Sequence, residues 1–340
     1  MDPAWIQSAR RDAVVAWCWV PFAVVTRVAE QHGSALGLVL SAVLLLSLSH
    51  QPLTLGLVYG DRSQFRSHAR LFTFAPALMV VAVVVGLRIS FLMVAVIAGL
   101  WNAEHTLMQR YGITRIYGRK VGDDHGRQER AALFAWLGLV LVAAAANRAT
   151  PAALAHVDVG EVNRRAIRLL ASLRPQARAM VPVALAAVAV LTARWVSVER
   201  GRVAAGARVN PAKYVYLSAT VALFIVMCID PVAGFAGYVG AHALEYDSIV
   251  HAALGRRAAS GDAGWIGRLA RRPGGRIVFF LATVVGVTVP MLLFQRYGSF
   301  TPATAMFLVV GGLHFVFDSV IWKLRRPAVA RSLGVPVAVA

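Results

Sequence analysis

The chain has 340 residues, 58% of them hydrophobic and only 15% charged, with a mean hydropathy of +0.64, whereas soluble domains carry roughly 25% charged residues. An ordinary soluble globule is excluded. The formal net charge of +19 does not imply a nucleic-acid partner either, because the basic residues sit in short segments between apolar runs, as a positive-inside membrane topology requires.

The apolar runs, such as residues 35–48, 71–87 and 179–191, approach or reach the ~20 residues needed to cross ~30 Å of hydrocarbon. Backbone polar groups must be satisfied within lipid, and unbroken apolar runs do not alternate as barrel strands do, so the spans are predicted to be helices. The expectation is an all-α bundle, a single integral membrane domain over 1–340, with ten spans.

In chain order, the first span is predicted at 13–29, after Asp2, Arg10, Arg11 and Asp12. No small-residue cleavage site follows it, so it reads as a retained helix. The second, 36–59, carries His50, with Asp61 and His68 in and beyond the next turn. The third is 71–87, and the fourth, 89–110, carries Trp101, Glu104 and His105. A basic loop from Arg110 to Arg130 leads to the fifth, 131–146. The connection 147–178, with Arg164, Arg165 and Arg168, reads as an amphipathic helix lying on a membrane surface.

The sixth and seventh spans are 179–195 and 213–229. Asp230-Pro231 then marks a turn and a helix start. The eighth span, 231–252, carries His242, Glu245 and His251; the ninth is 276–294; the tenth, 302–322, carries His314 and Asp318. Trp322, Lys323, Arg325 and Arg326 then form an interfacial anchor. Cys18 and Cys228 lie far apart in apolar stretches, which leaves no disulfide framework and no cysteine-based zinc motif.

With the N-terminus inside, 26 of the 35 Lys and Arg residues fall in inner segments, and six of the other nine lie in the 147–178 connection. Both termini are therefore expected on the cytoplasmic side. Ionisable residues within spans are costly and mark functional sites, and here they fall on the four even-numbered helices. At ~1.5 Å per residue, His50, His105, His242 and His314 lie roughly 9 to 15 Å below the inner boundary. This common depth follows from a topology set by Lys and Arg alone.

His314 and Asp318 are four residues apart and His242 and Glu245 three apart, spacings that put each pair on one helix face. Imidazole and carboxylate together suit iron, manganese or zinc. The expected metal ligands are His50, Glu104, His105, His242, Glu245, His314 and Asp318, holding one or two ions. In di-iron bundles the local motif is Glu-x-x-His, and His242-Ala-Leu-Glu245 has the reverse order. Asp61, His68, Trp101, Tyr111, Tyr246 and His251 are expected to support the ligands, because metal-bound imidazoles need an oriented partner; Tyr117 is a further candidate for this. Trp101 shares a face with His105. His251, nine residues after His242, points away on a continuous helix. His32, His125 and His156 fall in loops and read as solvated. Tyr111 and Arg115 are placed to hold a polar headgroup.

The segments His50-Gln-Pro-Leu-Thr-Leu, Tyr59-Gly-Asp61, His105-Thr-Leu-Met-Gln-Arg-Tyr-Gly, His242-Ala-Leu-Glu-Tyr and His314-Phe-Val-Phe-Asp318 resemble the signature blocks of a bacterial family of His-rich polytopic membrane proteins. More remotely, the arrangement is similar to the Brp/Blh-type carotene oxygenases and to membrane desaturases and hydroxylases, although the His-x-x-His-His box of the desaturases is missing. This resemblance implies a non-haem iron oxidoreductase in the bacterial inner membrane that acts on a fatty acyl or isoprenoid chain and draws on an electron-donor protein. A proton- or metal-coupled transporter or channel with a His/carboxylate relay is the alternative, but such folds often carry polar groups at the midplane and in repeated halves. A membrane haem protein with axial histidines is a second alternative, and the carboxylates beside the histidines argue against it.

Overall fold

A computed structural model describes residues 4–151, 161–261, 264–297 and 300–336. Among these residues the chain is all-helical, without strands. The helices are α1 (Ala9–Ala16), α2 (Trp19–Ala29), α3 (Gly33–Tyr59), α4 (Arg62–Ser67), α5 (Ala69–Ile89), α6 (Phe91–Arg119), α7 (Arg127–Ala146) and α8 (Glu161–Ala204), followed by α9 (Pro211–Ile229), α10 (Pro231–Ala259), α11 (Trp265–Arg271), α12 (Gly275–Tyr297), α13 (Phe300–Ile321) and α14 (Pro327–Ser332). Among the described residues, eight segments are long and apolar enough to cross a membrane. Much of their apolar surface is uncovered: on α5, Phe74, Leu78 and Ile89 are each about 70% exposed. In water such a surface would aggregate, whereas in lipid it is the solvent-facing side.

The chain divides into two compact units: residues 1–44 with 103–245, and residues 45–102 with 246–340. The first is built on Trp19, Leu107, Leu133, Leu217, Leu223 and Phe224, with α7 packed along α8 and α9. A second apolar cluster joins Leu36, Leu40 and Val43 of α3 to Val232, Ala236 and Val239 of α10. Small residues on α10 permit close approach. A Cβ on Gly240 would lie 2.8 Å from the Phe22 ring, and one on Gly234 would lie 2.5 Å from the Met227 backbone. α10, buried along most of its length, carries His242, Glu245, Asp247 and His251, and these polar residues keep it out of the eight apolar segments.

The second unit packs α13 against α5 and α12, and α11 against α12, around Leu53, Phe72, Val250, Ile266, Phe279 and Phe317. Asp61 caps α4 by accepting from the Ser63 and Gln64 amides, and it also pairs with Arg257. α3 contains Pro52, which cannot donate to a backbone carbonyl one turn earlier.

Two segments differ from their sequence-level boundaries. The fourth span does not stop at Arg110, because α6 stays helical to Arg119; Arg110 and Arg115 are buried and ion-paired rather than in a solvated loop. Residues 161–178 of the expected surface connection are the first part of α8, which runs 44 residues without interruption despite Pro175 and Pro182. His156 lies outside the described residues.

Candidate metal centre

In the second unit, two helices each present a pair of polar residues one turn apart: His50 and Thr54 on α3, and His314 and Asp318 on α13. Four-residue spacing puts each pair on one face. His50 is 1% exposed, and Thr54 and His314 are fully buried. His50 Nε2 lies 3.2 Å from His314 Nε2, with the two rings edge to face. The other His314 nitrogen, Nδ1, is 2.7 Å from Thr54 Oγ1. Thr54 donates to Asp318 Oδ1 at 2.8 Å, and Tyr246 of α10 donates to the same oxygen at 3.0 Å. Asp318 Oδ2 is 3.8 Å from His314 Nε2.

Tyr246 also meets Thr54 through its hydroxyl and packs its ring against both imidazoles, at centroid separations of 5.3 Å to His50 and 5.2 Å to His314. The unit thus brings together two imidazoles, a carboxylate and two hydroxyls in an apolar setting, and these are the donor types that hold a transition metal.

The first unit carries its own polar pairings. The buried rings of His105 and His242 meet edge to face at 5.1 Å. Gln109 donates to the His242 carbonyl at 3.0 Å and to Glu245 Oε2 at 3.4 Å. Glu245 Oε1 receives Arg110 Nη2 at 2.5 Å, with both side chains fully buried. Arg110 donates in addition to Thr220 at 3.0 Å and lies over the Tyr216 ring at 5.5 Å. Glu104 is partly buried on α6.

The remaining expected residues sit elsewhere. Trp101 packs its ring on Phe315. Tyr111 donates to the Gly126 carbonyl and Tyr117 to Asp12. His251 Nε2 meets Arg276 at 2.9 Å on an unbroken α10. His68 Nδ1 meets Arg326 at 2.9 Å. Asp61 and His68 therefore organise the turn and its surroundings.

Sequence reasoning overlooked Thr54, although its place four residues after His50 is a readable signal. It also overlooked a buried charge cluster in the first unit. Lys213 Nζ lies 2.7 Å from Glu129, 3.0 Å from Asp123 and 3.0 Å from Glu199, and Arg115 and Arg202 pair with the same acids. Three acids face three cations, so the cluster neutralises itself. Burial pushes the Asp123 carboxyl up, but Lys213 and Arg115 outweigh it and hold the group well below its ordinary value of 3.8.

No protein-family model, curated protein or solved structure matches this chain. Fold and site together define a class, a helical membrane protein with buried His and carboxylate groups suited to a metal.

Proposed function

We propose that the chain is a metal-dependent oxidoreductase of the cytoplasmic membrane, an oxygenase using non-haem iron, that acts on a lipophilic substrate such as a fatty acyl or isoprenoid chain. The observation that carries this reading is the His50/His314 pair. With metal–imidazole bonds of about 2.0–2.1 Å, two Nε2 atoms 3.2 Å apart subtend roughly 100° at a shared ion, between the octahedral and tetrahedral angles. Few other functions require two buried imidazoles to aim the same nitrogen at one point.

Bound iron would supply the one-electron and oxygen chemistry that no side chain provides. His50 and His314 would hold it, and Thr54, Asp318 and Tyr246 would orient His314. The apolar walls around Leu53, Phe317 and Leu313 exclude water and suit a hydrocarbon substrate entering from lipid. Catalysis then needs an external reductant, best met by an electron-donor protein at the cytoplasmic face.

The topology supporting this reading has ten spans. α10 and α12, with 29 and 23 residues, extend about 43 and 34 Å at ~1.5 Å per residue, enough to add two crossings to the eight. An even number puts both termini on one side, and the 26 inner basic residues make that side cytoplasmic.

The test is elemental analysis of the purified chain beside His50→Ala and His314→Ala, each checked for native helicity. One or two equivalents of iron or manganese, lost in both variants, support the proposal. A folded, metal-free wild-type chain that conducts protons or ions in proteoliposomes overturns it in favour of a relay.

A further inference from the structure

We infer that one end of the second unit, where α3, α10 and α13 finish and α5 and α12 begin, binds the phosphate of an anionic phospholipid. The inference stands apart from the metal reading. Residues 60–70 carry Arg62, Arg66 and Arg70, residues 256–276 carry six arginines, and residues 323–334 carry Lys323 and three arginines. Against these thirteen cations the same segments hold two acids, Asp61 and Asp262, and Asp61 is taken by Arg257. The segments meet in space. Arg326 reaches His68, a Cβ on Gly334 would lie 3.1 Å from the Arg256 guanidinium, and one on Gly60 would lie 2.7 Å from the Trp265 ring. Like charges gathered this way repel one another, and an anion among them relieves the repulsion.

Two of the arginines are held by imidazoles rather than by acids. Arg326 donates to His68 Nδ1 and Arg276 to His251 Nε2, each at 2.9 Å. A guanidinium has no acceptor atom, so the ring nitrogen accepts in both contacts. Such a contact aims the guanidinium and leaves its charge uncompensated. Burial, and then the charges of Arg326, Lys323 and Arg325, hold His68 below its ordinary value of 6.5, which sets three cations around one ring. The first unit provides the contrast, since its buried Lys213, Arg115 and Arg202 face Asp123, Glu129 and Glu199. A positive-inside bias enriches cations at loops in general, but it does not explain why only the second unit lacks acids to match them.

The surroundings favour lipid over a soluble anion. α11 presents Trp265, Arg268 and Arg272 on one exposed face, three and four residues apart, while Ile266 is buried. Trp322 stands beside Lys323 at the end of α13. Aromatic and basic side chains together are the composition of the headgroup layer. The planar guanidinium fork gives two parallel N–H donors to a phosphate, and basic pockets at the ends of membrane helices take anionic headgroups.

The experiment follows lipid retention by the full-length chain in neutral detergent, using native mass spectrometry with added dioleoyl-phosphatidylglycerol or dioleoyl-phosphatidylcholine. Two double variants are compared with wild type: Arg276→Gln with Arg326→Gln, and Lys323→Gln with Arg325→Gln. The second pair gives up no hydrogen bond to a described residue, so it decides the matter if the first fails to fold. Arg88→Gln, in the last turn of α5, is the control at the other end of that helix. Wild type should hold phosphatidylglycerol roughly 30-fold or more tighter than phosphatidylcholine, and each double variant should lose roughly 30-fold, the effect of two basic side chains at a charged surface. Arg88→Gln should match wild type. No preference for phosphatidylglycerol, or one that survives in the folded double variants, overturns the inference. Equal protection from heat by inorganic phosphate overturns it in favour of a soluble phosphate, and binding of polyglutamate without any lipid preference overturns it in favour of an acidic protein.

Discussion

Replacing Arg110 with methionine keeps an aliphatic stem and deletes the cation that lies 2.5 Å from Glu245 Oε1. Glu245 is then left fully buried with Gln109 Nε2 at 3.4 Å and without the charge that balanced it. Breaking a buried ion pair from one side costs about 3–5 kcal/mol. The lost contact over the Tyr216 ring, at 5.5 Å, adds up to about 2 kcal/mol when desolvated. Thr220 suffers little, because its hydroxyl also donates to the Tyr216 carbonyl at 2.9 Å. Arg110→Met is therefore expected to lose about 3–7 kcal/mol. Glu245→Met, which strands Arg110 instead, should lose about 3–5 kcal/mol.

The double variant is the decisive member. With both charges replaced by apolar groups of similar length no ion remains stranded, and such replacements are often neutral or even stabilising. It should thus recover at least about 3 kcal/mol relative to the sum of the single losses. Reversible unfolding in mixed micelles, followed by far-ultraviolet circular dichroism, measures all three. If the double variant loses the sum of the two single losses, Arg110 and Glu245 act independently and the pairing argument fails.

Ala substitution at His50 or at His314, whose Nε2 atoms lie 3.2 Å apart, should each abolish stoichiometric metal, and full metal content in either variant by elemental analysis would refute the shared ion. Asp123, whose folded pKa lies below its ordinary 3.8, stabilises the fold fully above about pH 4 and loses that contribution as pH falls further. Melting curves between pH 2 and 6 should show this acid-dependent loss in the wild type and a flatter profile in Asp123→Asn, and identical profiles would refute it. Gly234→Ala forces a Cβ onto the Met227 backbone and should cost about 1–3 kcal/mol. The control Gly138→Ala, with open space at its Cβ, should be neutral or stabilising by up to about 1 kcal/mol, and the ranking of the two melting temperatures checks both.

Hydropathy located the helices well wherever large apolar residues run on without interruption, as in α3, α5 and α9. It misplaced the end of α6 because it treats every arginine as a boundary, while Arg110 remains inside the fold with Glu245, 135 positions away in sequence. No local spacing rule brings those two together. The His314/Asp318 pair was legible because one helical turn separates its members. Thr54 was not noticed because threonine is commonplace in apolar helices, and its importance appears only when α13 places His314 opposite it. The Lys213 cluster escaped for a related reason: Asp123, Glu129 and Glu199 come from separate segments that read as charged edges and meet only in the folded chain.

The length of α8 carries a mechanical consequence. Its 44 residues extend about 66 Å at ~1.5 Å per residue. Even tilted by 40°, the upper end of the range for membrane helices, it projects about 50 Å along the bilayer normal against ~30 Å of hydrocarbon. Some 20 Å of stiff helix must then stand clear of the acyl chains, and its N-terminal half bears Arg164, Arg165, Arg168, Arg174 and Arg178. In a micelle or nanodisc this segment is a built-in mast, a landmark for particle alignment and an address for cross-linkers.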